Sequence, residues 1–182
     1  YFFNIFLIVC FLIILVEWFN MAKKIKYNIF GYIFIIVSFY TIYKLRNNFE
    51  GDYFYFLFVT LICIFTDIGG YVFGKLIKGP KLTKLSPNKT YAGMFGGYIL
   101  SLIALSISFQ YFRLELSIEW LFFTLLISSV SQLGDIIISY FKRLSKIKDT
   151  GKIIPGHGGL LDRVDGMIFA FPFAYIIILI NI

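Results

Sequence analysis

Residues 117–141, SIEWLFFTLLISSVSQLGDIIISYF, decide the fold class of this chain. They are predominantly apolar and as long as a helix that crosses the hydrocarbon of a bilayer. Their end overlaps the polar segment 139–165, SYFKRLSKIKDTGKIIPGHGGLLDRVD, which is rich in charged residues and glycine. Charges beside hydrocarbon are costly and are usually functional. The stretch therefore predicts a transmembrane helix with a functional site at its end.

Five further apolar stretches flank this one, at roughly 2–18, 28–43, 53–74, 92–112 and 166–182. The 182-residue chain is 59% hydrophobic and 21% aromatic, with a mean hydropathy of +0.84. Backbone groups in lipid need internal hydrogen bonds, which favours helices. We predict an all-α, polytopic transmembrane bundle of about six spans, forming a single integral-membrane domain over 1–182. Since apolar sequence begins at Tyr1, we also expect this chain to be the C-terminal part of a longer protein.

The basic residues alternate between the two ends of these stretches. All of them except Lys44, Arg46 and Arg113 lie in the connections after the first, third and fifth stretches. The positive-inside rule places those connections in the cytoplasm. The net charge of +7 also suits attraction to anionic lipids. We therefore expect polar cytoplasmic loops to form the site.

The fifth stretch carries a polar stripe at its end. Asp135, Ser139, Lys142 and Lys146 are spaced so that one helical face presents all four. A carboxylate so deep in an apolar stretch requires a metal ion or an ionic partner. Metal binding is favoured over an intrahelical ion pair with a nearby lysine, because further carboxylates follow.

Those carboxylates belong to Asp149, Asp162 and Asp165, in a glycine-punctuated segment. A helix that opens here would bring Asp162 and Asp165 to one side and place them at its positive end. Mg²⁺ takes one or two carboxylates together with phosphate oxygens and water. His157 is the only histidine, which argues against zinc. It suits a loop hydrogen bond or a phosphate contact equally well.

A second polar cluster follows the third stretch. Asp67 and Lys75 lie on a small and polar helical stripe that also holds three other residues, Gly70, Tyr71 and Gly74. Residues 86–90, SPNKT, then offer hydroxyls, an amide and an ammonium on a tight turn. The composition indicates a site for phosphate or another polyanion, although a structural hydrogen bond is the alternative for Asp67.

The two clusters together resemble the motifs of the phosphatidate cytidylyltransferase family, also called CDP-diacylglycerol synthases. The resemblance runs without a gap through residues 139–165 and also covers the cluster from Asp67 to Thr90, so that it spans about 60–170, the expected catalytic core. The family usually has an acidic residue where this chain has Ile138, and a glutamate where it has Ala92.

The resemblance implies that CTP and phosphatidate react to give CDP-diacylglycerol and diphosphate, with Mg²⁺ as one or two ions and Mn²⁺ as a substitute. The implied metal ligands are Asp135, Asp162 and Asp165. Lys142, Arg143 and Asp149 complete the implied catalytic group. Implied substrate-binding residues are Asp67, Lys75, Ser86, Asn88, Lys89, Ser139, Lys148, His157 and Arg163.

The expected partners are CTP, phosphatidate and the bilayer, with no nucleic acid and with a homodimer compatible with the sequence. The expected location is a bacterial inner membrane. Two other functions stay open. A CTP-dependent lipid-alcohol kinase of the polyprenol type would transfer the γ-phosphoryl group and release CDP. A non-catalytic protein that binds or transports anionic lipid would show no magnesium-dependent turnover.

Overall fold

The computed structural model describes residues 1–23, 28–47, 53–83, 86, 89–153, 155–156 and 158–181. Within these ranges the chain is helical and has no β-strand, apart from one isolated bridge between Lys81 and Thr90. The helices are α1 (Phe2–Ala22), α2 (Ile29–Asn47), α3 (Phe54–Leu76), α4 (Tyr91–Phe112), α5 (Ile118–Leu144), α6 (Leu161–Val164) and α7 (Met167–Asn181).

The helices α1 to α5 are each long and apolar enough to cross a membrane. The sixth predicted stretch forms α7, which is a shorter apolar helix and contains Pro172. The prediction of an all-α transmembrane bundle is therefore confirmed, with five helices of full spanning length in the described part. The chain is an integral membrane protein.

Aromatic and aliphatic side chains fill the centre of the bundle. One cluster surrounds Phe58 and Ile62 on α3, which are fully buried, and includes edge-to-face contacts with Phe109 and Trp120 from the two following helices. A second cluster joins α1 and α5 and extends to α6 through Leu161. Edge-to-face aromatic pairs add to the stabilisation from burial. The first cluster thus packs the beginning of α3 against the beginning of α5 and the end of α4, and the second packs the end of α5 against α1.

Glycines allow α3 and α4 to approach closely. A Cβ atom on Gly69 would lie 2.2 Å from the carbonyl oxygen of Gly96, and one on Gly93 would lie 2.6 Å from the carbonyl oxygen of Gly70. Real Cβ contacts are longer than this, so only glycine fits. Gly96 also lies against the Phe73 side chain of α3, and Gly31 of α2 lies against Trp18 of α1. Small residues commonly allow such close packing between membrane helices.

One part of the predicted polar stripe on α5 is wrong. The helix ends at Leu144, and Lys146 lies beyond it with a φ of 56°. Its side chain is exposed and does not line the cleft described below. The stripe therefore ends at Lys142, because regular spacing places residues on one face only as far as the helix continues.

Candidate active site

A polar cleft opens where α3 and α5 end and α4 begins, next to α6. Its volume is about 440 Å³. The cleft brings together both sequence clusters, which lie far apart along the chain. The residues of its wall are Thr66, Asp67, Gly70, Tyr71, Leu82, Ser86, Lys89, Thr90, Gly93, Met94, Gln132, Asp135, Ser139, Lys142, Arg143, Lys148, Asp149, Asp162, Arg163 and Asp165.

Asp135 is paired across the cleft. Its Oδ2 atom forms an ion pair with Nζ of Lys89, and its Oδ1 atom accepts a hydrogen bond from Ser139 Oγ at 3.4 Å. The ionic partner of Asp135 therefore comes from the connection between α3 and α4. The alternative stated above was a lysine on the same helix as Asp135. A carboxylate in an apolar helix is stabilised by such a pairing.

Short backbone contacts hold Lys89 in this place. The amide of Lys89 donates to the carbonyl of Ser86 at 3.1 Å, and its carbonyl accepts from the amide of Leu82 at 2.8 Å. Thr90 then caps α4, because its hydroxyl oxygen accepts a hydrogen bond from the amide of Gly93 at 3.1 Å. The capped helix start and the turn before it thus carry the lysine to Asp135.

Asp162 is the most fully satisfied carboxylate of the cleft. Oδ1 accepts a hydrogen bond from Lys142 Nζ at 2.9 Å, and Oδ2 accepts from the amides of Thr150 and Gly159 at 2.8 and 2.9 Å. Burial by itself would raise the pKa of the Asp162 carboxyl. The hydrogen bonds from the two amides and Lys142 outweigh burial, so the pKa lies below its usual value.

Asp165 is next to Asp135 in the cleft wall and is 8% exposed. Burial, and then the neighbouring charge of Asp135, raise the pKa of the Asp165 carboxyl well above its usual range. The two side chains are within hydrogen-bonding distance, and the amide of Gly166 donates to Asp165 Oδ1 at 2.9 Å. A Cβ on Gly166 would lie 2.4 Å from Ser131 Oγ, so glycine is required here. Two carboxyl groups this close favour either a shared proton or a cation.

The donor set fits Mg²⁺. In the part of the chain that the structure describes, no three metal-ligating side chains converge closely enough to chelate one ion. Magnesium bound together with a nucleotide requires only one or two carboxylates, with phosphate oxygens and water as the other ligands. Asp135 and Asp165 supply such a pair. Ligation by all three residues stays a prediction, and Asp162 already accepts hydrogen bonds from Lys142 and two amides.

Of the implied site residues that the structure describes, all except Lys75 line this cleft. Lys75 is exposed outside the wall, with its ammonium 3.4 Å from the hydroxyl of Tyr71. Asn88 and His157 lie outside the described residues. The proposed contacts of these three residues with substrate stay predictions. Ile138 and Ala92, where the family usually has acids, do not line the cleft either.

Sequence reasoning missed two residues near the site. Gln132 lines the cleft one helical turn before Asp135, where its polarity was a usable signal. Glu17, on α1, lies outside the cleft wall and is 3% exposed, although it is the only charged residue in the first apolar stretch. The usable signal was the same as for Asp135, because an acid inside an apolar stretch requires an ionic or hydrogen-bonding partner.

Comparison with known proteins agrees with the geometry. A family model described as the cytidylyltransferase family matches residues 1–181. Phosphatidate cytidylyltransferase of Staphylococcus epidermidis is 42% identical over 128 residues, which are 69% of this chain and 49% of that protein. The proteins of the same name from Staphylococcus saprophyticus and Staphylococcus aureus are 39% and 38% identical over 149 residues, covering 80% of this chain and 56% of theirs.

The chain spans about half the length of the curated relatives it matches. The family match, by contrast, extends over nearly all of this chain and includes both halves of the cleft. The chain therefore belongs to the cytidylyltransferase family.

Proposed function

We propose that the protein containing this chain transfers the cytidylyl group of CTP to phosphatidate, giving CDP-diacylglycerol and diphosphate. The observation that carries the proposal is the single cleft at the ends of membrane helices, which combines paired carboxylates with several cations. The names of the staphylococcal relatives support the same reaction.

In the proposed reaction, a phosphate oxygen of phosphatidate attacks the α-phosphorus of CTP. A new phosphorus–oxygen bond forms while the bond from the α-phosphorus to the bridging oxygen breaks, and diphosphate leaves with that electron pair. Such transfers depend mainly on positioning and charge neutralisation, so no protein nucleophile is required. The attacking oxygen is already anionic and needs little help from a general base.

Each group of the cleft has a role in this scheme. Mg²⁺, held by Asp135 and Asp165, would neutralise charge on the phosphates. Lys89 and Lys142 hold their ammonium groups at the carboxylates, where they would contact phosphate oxygens of a bound nucleotide. Arg143 and Arg163 line the same wall and offer planar donor groups for phosphates. Asp162 orients Lys142.

The lipid substrate would reach the cleft sideways from the membrane. Tyr71 lines the cleft and is 68% exposed on α3, so the wall extends to the outer surface of the bundle, which is proposed to face lipid here. This position would allow the acyl chains to stay in the bilayer while the phosphate enters the cleft.

A product assay with the full-length protein tests the reaction. We expect CTP labelled at the α-phosphorus to transfer label to the lipid fraction only when phosphatidate and Mg²⁺ are present. CTP labelled at the γ-phosphorus should release labelled diphosphate. Transfer of the γ-label to a lipid alcohol, with CDP as product, would instead establish the kinase alternative. No turnover would leave a lipid-binding function.

The cleft is proposed to face the cytoplasm, since it lies at the end of the bundle that holds most of the basic residues. In a cysteine-free background, Lys81→Cys and Lys146→Cys should react with an impermeant maleimide only from the cytoplasmic side. Arg113→Cys, at the other end of α4, should react from the opposite side. Labelling of positions 81 and 146 from different sides would exclude this topology.

A further inference from the structure

Glu17 on α1 holds a buried carboxylate that the proposed reaction does not use. Its Oε2 atom accepts hydrogen bonds from the amide of Leu161 at 2.7 Å and from Thr150 Oγ1 at 3.1 Å. Its Oε1 atom accepts from the amide of Leu160 at 2.9 Å. The side chain thus joins the first helix to a segment more than 130 residues later in the chain.

The segment that Glu17 contacts is the α5–α6 loop, residues 145–160, with the start of α6. Two glycines of this loop lie against the carboxylate. A Cβ on Gly151 would be 2.5 Å from Oε1, and one on Gly159 would be 2.6 Å from Oε2. The backbone therefore fits around Glu17, and a buried carboxylate with so many donors is strongly held.

The same loop residues also hold Asp162. Thr150 donates its hydroxyl to Glu17 and its amide to Asp162, while Gly159 packs on Glu17 and donates its amide to Asp162. Glu17 and Asp162 thus contact the same two residues of the loop. A shift of Thr150 or Gly159 would remove hydrogen bonds from the carboxylate that orients Lys142.

We propose that Glu17 is a positioning residue: it fixes the α5–α6 loop so that Asp162 and Lys142 keep the orientation that the reaction requires. The kinetic part of this inference rests on the proposed cytidylyl transfer, whereas the anchoring of the loop does not. Residues that orient catalytic groups in this way affect turnover without touching the substrate.

Glu17→Gln separates this role from simple space filling. Glutamine keeps the size of the side chain but has one acceptor oxygen and a donor NH₂ group. The backbone amides of Leu160 and Leu161 each need an acceptor, so one of them would face the NH₂ group. An unsatisfied buried donor is costly, and the loop would shift to avoid it.

Thr150 offers a milder test of the same contact. Thr150→Val keeps the shape of the side chain and the hydrogen bond from the backbone amide to Asp162. It removes the hydroxyl that donates to Glu17. Thr150→Ser retains that hydroxyl and should behave close to the unsubstituted protein. Ser38→Ala is the matched control, because it removes a buried hydrogen bond between α2 and Ile168 of α7, away from the loop.

The experiment measures steady-state kinetics and trypsin cleavage at the exposed Lys152, using the full-length protein in detergent. We expect Glu17→Gln to lower kcat about tenfold or more while the KM values for CTP and phosphatidate change less than about threefold. Cleavage after Lys152 should be several-fold faster, because the loop opens more often. Thr150→Val should show the same changes in smaller size, and Ser38→Ala should show neither.

Unchanged cleavage and unchanged kcat in Glu17→Gln would overturn the inference. An equal loss of kcat in Ser38→Ala would also overturn it, since the effect would then reflect general destabilisation. If the unsubstituted protein forms no CDP-diacylglycerol, the proposed function fails and cleavage alone decides whether Glu17 anchors the loop. If Glu17→Gln does not fold, the pair Thr150→Val and Thr150→Ser decides the matter.

Discussion

Asp135→Asn is expected to lower turnover of CTP and phosphatidate by about 100-fold or more, a change of ~3 kcal/mol in the activation barrier. The substitution keeps the size of the side chain but removes the charge that pairs with Lys89. It also removes one of the two adjacent carboxyl groups that fit Mg²⁺, for which a neutral amide is a poorer ligand. Both effects act where the phosphates are proposed to bind.

Initial rates of the purified full-length protein, measured across a range of Mg²⁺ concentrations, test this expectation. Glu119→Gln is the matched control, since it makes the same change from acid to amide at the exposed opposite end of α5. Its rate should stay within about twofold of the original. Near-normal turnover of Asp135→Asn at limiting Mg²⁺ would exclude a metal-binding role for this residue.

Asp162→Asn is expected to cause a loss of similar size, about 100-fold, for a different reason. Asparagine has a single acceptor oxygen, whereas the Asp162 carboxylate receives Lys142 on one oxygen and two backbone amides on the other. Its NH₂ group would have to face either the ammonium or the amides, all of which are donors. The variant would therefore lose the orientation of Lys142 or the closure of the loop.

A double-mutant cycle with Lys142→Met separates these two losses. If Asp162 acts by orienting Lys142, the double variant should be little worse than the poorer single variant. Losses that multiply would mean that the two residues act independently, and would contradict the proposed coupling. The trypsin assay at Lys152 then reports whether Asp162→Asn also opens the loop.

The starts of α1 to α5 and of α7 could be predicted from hydropathy, but some helix ends could not. The stretch 117–141 corresponds to α5, Ile118–Leu144, which continues through Lys142 and Arg143. Apolar composition marks the hydrocarbon core, whereas a helix continues into the polar headgroup region as long as its backbone bonds are satisfied. The first helix is longer than its predicted stretch, 2–18, for the same reason, since α1 continues to Ala22.

The residue types of the cleft could be predicted from the motifs, but their pairing could not. The ionic partner expected as the alternative for Asp135 was a lysine of its own helix, and the partner is Lys89 from another connection. Metal binding by Asp135 stays a prediction. The partners of Glu17 lie more than 130 residues away along the chain, and no local periodicity indicates such a contact. Pairings of this kind depend on which helices pack together, and the sequence pattern of one helix carries no such information.

The glycine contacts between α3 and α4 limit how the cleft can move. Where backbone lies directly on backbone, as at Gly69 and Gly96, there are no side chains whose rotamers could change to let one helix slide past the other. The two helices should therefore move as one rigid body that carries Asp67 and the capping residue Thr90 together. Any widening of the cleft to release CDP-diacylglycerol must then occur between this pair and α5, or by displacement of the connections.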